Sequence, residues 1–179
     1  MEGPKRHAHP SRRSGQAGIG WFDLAVPERA YLFGLLQTDG CHTQGTRNRG
    51  RIQLELAASD AALLEQLVSL CPWHSTVRYR TRDTNFRADY RSAAWTLSSW
   101  DARTELTDLG FPPGPKAHSA SPPTVPHSER DYLRGLIDGD GSLGFTSAGR
   151  PFVSFVSASE PLARYVEARF EALTGVRRR

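Results

Sequence analysis

Three features of the sequence predict an α+β fold made of two pseudo-symmetric halves, each running αββαββα, with the second half incomplete. The first is an internal repeat, in which VPERAYLFGLLQTDG at 26–40 matches ERDYLRGLIDGDG at 129–141. A second echo, AASDAALLEQLVSL at 57–70 against SASEPLARYVEARF at 157–170, follows at almost the same offset. The second feature is that helical and strand periodicities alternate in the same order after each copy. The third is GFPPGPKAHSASPPTVPHS at 110–128, whose prolines, glycines and serines neither continue a helix nor pair as a strand, so it reads as a linker. The boundaries that follow are a disordered basic arm over 1–20, a first half over 21–109, the linker over 110–128 and a shortened second half over 129–179.

Apolar spacing predicts a helix from Glu28 to Thr38, closed by Gly40 in a left-handed C-terminal position. Alternating segments at 41–46 and 50–58 flank the turn-like TRNRG. Residues 60–71 recover helical spacing through Ala61, Leu64, Leu67 and Val68, with Ser59 or Asp60 as the N-cap. Alternating runs at 75–82 and 90–98 precede a short helix at 100–109. The second half repeats a helix at 129–138, strands at 141–147 and 151–157 and a helix at 159–173. It lacks two strands and a last helix, so the copy is shortened, the chain is a fragment, or another chain completes it.

Composition bounds the partners. A hydrophobic fraction of 38% and an aromatic fraction of 9% suit a folded chain. The net charge of +4, carried almost entirely by arginine, favours an acidic partner and planar, bidentate recognition of phosphate. A GC-rich genome produces the same arginine excess, so position must carry the argument. Cys41 and Cys71 form no CxxC pair, and with His42 and His74 they give only an irregular zinc spacing. His7 and His9 in the arm read as incidental. With no apolar leader and no long apolar run, no membrane partner is expected and the cytoplasm is the expected compartment.

Gly34 and Gly135 each fall inside a predicted helix, where glycine costs about 1 kcal/mol relative to alanine. Close approach of two helix backbones supplies a reason, so the two helices are expected to pack at these glycines and form the seam between the halves. Their C-terminal ends would then bring Asp39 and Asp140 together. Two carboxylates facing the negative ends of two helix dipoles invite divalent cations.

YLFGLLQTDG and YLRGLIDGDG resemble the two LAGLIDADG motifs of the DOD-type homing endonucleases, and the αββαββα order is similar to that family's half-domain. The resemblance implies a single-chain, two-motif endonuclease whose curved antiparallel sheets face double-stranded DNA. It implies that the acid at the eighth motif position, here Asp39 and Asp140, binds Mg2+ or another divalent cation such as Mn2+ for phosphodiester hydrolysis. The usual acid at the sixth position is Gln37 in the first copy and Asp138 in the second. A monomer with a pseudo-twofold axis is expected, at the nucleoid when on DNA, with a partner chain or host domain as the means of completing the short half.

Strand parity locates the DNA surface. Arg47, Arg49, Arg51 and Gln53 share one parity, with Ile52, Leu54 and Leu56 on the other. Arg78, Arg80 and Arg82 interleave with Val77, Tyr79 and Thr81. The basic face is suited to guanine edges and phosphate, and glutamine to adenine. The second half offers Ser142, Thr146, Arg150 and Ser154 without an arginine ladder. The tryptophans Trp21, Trp73, Trp95 and Trp100 read as packing residues, and Arg177 to Arg179 as a solvated end. The rival reading is a non-cleaving DNA-binding regulator or decayed endonuclease of the same fold; an intein is disfavoured by the missing splicing residues at both ends.

Overall fold

The computed structural model describes residues 18, 20–47, 49–83, 85 and 88–175. The arm expected over 1–20, with His7 and His9, falls outside the described residues apart from Gly18 and Gly20, and Arg177 to Arg179 fall outside them as well.

Helix α1 (Pro27–Thr38) opens with Pro27, whose fixed φ suits the first turn and whose missing N–H would have had no helical partner. Strand β1 (Gly40–Gln44) follows immediately, and β2 (Gly50–Ala57) returns antiparallel to it, pairing Gly40 with Leu54. A 3-10 turn at 58–60 leads into α2 (Ala61–Leu70). Asp60 occupies the N-cap position, yet neither it nor Ser59 gives α2 the side-chain cap expected from the sequence. β3 (Ser75–Arg82), β4 (Tyr90–Leu97) and α3 (Trp100–Asp108) complete the first half. The Ser99 hydroxyl caps α3 by accepting from the Ala102 amide at 3.4 Å. The sheet is antiparallel in the order β1-β2-β4-β3, so β4 is central and β3 an edge.

Gly40 does not take the left-handed conformation expected of it: no positive φ occurs there, and it begins β1. Its lack of a side chain serves close approach instead, because a Cβ would lie 2.3 Å from the Leu36 carbonyl oxygen. Gly141 stands in the same relation to Ile137, at 2.4 Å. Each motif glycine therefore lets its strand turn tightly off the helix end.

The segment expected to be a linker is packed against the protein. It contains a single helical turn, α4 (Lys116–Ser119), while Phe111 and Ala120 are buried. α5 (Glu129–Asp140) then runs two residues beyond its expected end, followed by β5 (Gly141–Phe145), β6 (Pro151–Phe155) and α6 (Glu160–Thr174). Ser159 caps α6, and Gly175 with φ 68° closes it in the left-handed region.

The core lies between the inner face of the first sheet and helices α1, α2, α3 and α5, around Phe33, Leu36, Ile52, Leu54, Trp95 and Leu106. Trp100 is not part of it: this residue is 44% exposed, with the Arg103 guanidinium 5.1 Å from its ring centre. The second hairpin has no equivalent cover. Pairing Gly141 with Phe155 makes Val153 the counterpart of Ile52 and Leu143 the counterpart of His42. Val153 is 40% and Leu143 73% exposed, against 0% for Ile52 and 3% for His42. Val153→Ala is therefore expected to lower stability by about 0.5 kcal/mol or less, short of the roughly 1 kcal/mol for Ile52→Val, as read by denaturant melts. Among the described residues, no helix is long and apolar enough to cross a membrane.

Candidate metal centre and nucleic-acid interface

The seam is built from backbone. A Cβ on Gly34 would lie 2.5 Å from the Tyr132 carbonyl oxygen, and one on Gly135 would lie 2.1 Å from that of Tyr31. Tyr31 and Tyr132 occupy equivalent motif positions, so the contact is reciprocal about a pseudo-twofold axis. The α1–α5 contact is the most extensive between any two elements. One turn further along, a Cβ on Gly139 would sit 2.0 Å from the Thr38 hydroxyl and 3.2 Å from Asp39 Oδ2. The helices thus remain pressed together up to the two aspartates.

Asp39 is the C-cap of α1 and Asp140 the last residue of α5. Both residues are exposed, so a cation can reach them from solvent. Partial burial, followed by the negative charge of Asp140, raises Asp39 above the usual carboxylate range. Burial likewise raises Asp140. Lys116, from the segment before α5, opposes both shifts with its positive charge, and its own pKa is lowered by burial against the pull of Asp140 and Asp39. Its Nζ donates to the Thr38 carbonyl oxygen, fixing the ammonium beside the pair. Two adjacent carboxylates with incompletely balanced negative charge match the donor set of a hard divalent cation, whose remaining positions water and phosphate fill. Among the described residues no group of three or more His, Cys, Asp and Glu lies close enough to hold a metal.

Lys116 had no sequence signal: it stands in a proline-rich stretch without periodicity, and only tertiary packing brings it here. The same packing uses Gln37, which is buried. Its Nε2 donates to the Gly110 carbonyl at 2.9 Å and the Ser121 carbonyl at 2.7 Å, and its Oε1 accepts from the Tyr132 hydroxyl at 2.5 Å. Asp138, at the corresponding position of α5, is exposed and 3.7 Å from Arg134. His42 is buried, with Nδ1 2.8 Å from the Phe111 carbonyl oxygen.

Strand register sets the outer face of the first sheet. Thr76 pairs with Thr96 and Thr96 with Gln53, while Arg78 pairs with Ala94 and Ala94 with Glu55. Arg51, Gln53, Arg78, Arg80 and Arg82 therefore share this face. Arg47 and Arg49 do not extend the ladder; they lie in the β1–β2 turn, where Arg47 has φ 55°. Glu55 belongs to the same face, so the face is not purely basic. Its carboxylate is 2.9 Å from Arg82 and 3.4 Å from Arg80, and accepts from the Ser92 hydroxyl at 2.6 Å. Arg78 is exposed. In the second hairpin the matching face carries Ser142, Gly144, Phe152 and Ser154, with no charge.

No family model and no curated protein matches this chain. Among solved structures it is similar to I-SmaMI bound to an uncleaved DNA target in the presence of calcium ions, with TM-score 0.48 and 11% identity over 84% of this chain and 73% of that one. It is also similar to meganuclease I-SmaMI bound to uncleaveable DNA with a TTCT central four, with TM-score 0.43 and 11% identity over 81% and 72%.

Proposed function

We propose that the protein is a site-specific endonuclease of the LAGLIDADG type acting on double-stranded DNA, in which Asp39 and Asp140 hold Mg2+ or a similar divalent cation. The observation that carries this reading is the glycine-lined seam, which brings one aspartate from each motif to a common end beside Lys116. The cation would activate water and neutralise charge on the scissile phosphate. Water oxygen bonds to phosphorus, one P–O ester bond breaks, and the departing oxygen takes up a proton. Asp39 and Asp140 would hold the cation, and Lys116 supplies a fixed positive charge where negative charge grows. Arg51, Gln53 and Arg78 would meet base edges or phosphate across the outer sheet face.

Cleavage of a plasmid library bearing random inserts, with Mg2+ and with EDTA, tests the reading alongside gel shift. Mg2+-dependent cutting at a defined long site supports it. Binding without cutting supports the second reading, a DNA-binding regulator or decayed endonuclease, which is favoured by the uncharged outer strand face of the second hairpin and its uncovered apolar side.

The ion pairs of Glu55 rank the arginines. Arg78→Ala is expected to weaken DNA binding about tenfold at low salt and to reduce the salt slope by about 1. Arg80→Ala should act less, because Glu55 already offsets part of its charge, and Glu55→Gln should tighten binding. Equal effects of the two arginine variants in a salt titration would remove this ranking.

A further inference from the structure

We propose that Gln37 is a positioning residue that holds Lys116 against the paired aspartates by pinning both ends of the segment carrying it. The inference rests on the endonuclease reading for what Lys116 does, but not for where it is held. The carbonyls bonded by Gln37 Nε2 belong to Gly110 and Ser121, which bracket residues 111–120 with Lys116 near the middle. The Ser121 amide also donates to the Gly110 carbonyl at 3.1 Å, so the segment is a loop closed at its neck. Gln37 ties that neck to α1, and the Lys116 ammonium rests on the carbonyl of the next residue, Thr38. Three consecutive residues thus act in turn, with Gln37 holding the neck, Thr38 receiving the Lys116 ammonium and Asp39 standing beside it.

An amide is the group this place requires. Both Nε2 hydrogens go to carbonyl oxygens, while Oε1 accepts from Tyr132, whose hydroxyl remains protonated because burial raises its pKa. A carboxylate would turn an anion toward two carbonyl oxygens in a buried setting. Asp138 meets no such demand, because its side chain lies at the surface beside Arg134. The sixth motif position thus carries a buried amide in α1, where it bonds the neck, and an exposed acid in α5. Further anchors limit the effect of losing Gln37: Phe111 is buried, the Gly114 amide donates to the His42 carbonyl at 3.0 Å and the Ser159 hydroxyl donates to the Ala120 carbonyl at 2.7 Å.

Gln37→Met keeps the length of the side chain and removes its polar atoms. Lys116 and Lys5 are the only lysines in the chain, so acylation by an amine-reactive ester, mapped by peptide, reads Lys116 against Lys5. The expected result is about tenfold faster labelling of Lys116 in the folded variant. Cleavage should show kcat about tenfold lower with KM for DNA within about twofold, and Lys116→Ala should cost much less in the Gln37→Met background than in the wild type. A general loss of structure would lower melting temperature without that coupling. Unchanged Lys116 labelling in folded Gln37→Met overturns the proposal whether or not the chain cuts DNA. A wild type that never cuts would instead overturn the endonuclease reading, leaving the labelling to decide this one. If Gln37→Met fails to fold, Tyr132→Phe, which removes only the hydroxyl donated to Oε1, takes its place. Its expected labelling increase is about threefold, and no increase again overturns the proposal.

Discussion

Gly135→Ala is expected to destabilise the protein by about 3 kcal/mol, lowering Tm by roughly 6–12 °C for a chain of this size. The sign makes the test sharp, because glycine to alanine inside a helix ordinarily gains about 1 kcal/mol. Here the added carbon would fall 2.1 Å from the Tyr31 carbonyl oxygen and 2.9 Å from the Leu35 nitrogen. These are backbone atoms that no rotamer change moves aside, so the helices must separate. Gly34→Ala meets backbone in the same way, 2.5 Å from the Tyr132 oxygen, and should act in the same direction. Separation would also displace Asp39 from Asp140, so cutting should fall further than stability alone explains. An unchanged or raised Tm in thermal melts would show that the seam is looser than described.

Asp39→Asn and Asp140→Asn are each expected to reduce Mg2+-dependent cutting by more than about a hundredfold, while leaving DNA affinity largely intact. Their effect on stability should be opposite. A carboxyl raised by burial favours the folded state while protonated, so the stability it costs appears as pH rises from the ordinary carboxylate range through its folded pKa, and persists above it. An asparagine carries no such penalty. In EDTA at neutral pH both variants should therefore melt above the wild type, with the difference vanishing in acid. Mg2+ should raise the wild-type Tm by binding the folded state, and raise it less in the variants. Retained cutting in both variants, or an equal Mg2+ shift in all three proteins, would remove these residues from the metal centre.

Much of this arrangement was legible in the residues themselves. The repeated motif located α1 and α5 because a costly interior glycine and a terminal Asp-Gly occur twice in the same setting, and alternation located β2 and β4 through their apolar faces and β3 through its alternating arginines. The limits are equally physical. Gly40 satisfies the composition of a left-handed helix end, yet the strand's exit past Leu36 demands a missing side chain rather than a positive φ. Glu55 shares parity with Arg51 and Gln53, and a parity argument that counts only cations overlooks it. Lys116 and α4 lie where local propensity is silent; Phe111, Gln37 and Ser159 place them, and those contacts span long distances along the chain.

The seam also has a consequence for mass action. One carboxylate comes from each motif helix, so neither half alone assembles the pair, and the stretch 110–128 does more than join them: it keeps their local concentration high. A break at the exposed residues 124–126 would turn a unimolecular encounter into a bimolecular one. Assembly of the centre would then depend on the product of two fragment concentrations, and dilution alone would dismantle it. In the intact chain the same arrangement is indifferent to dilution.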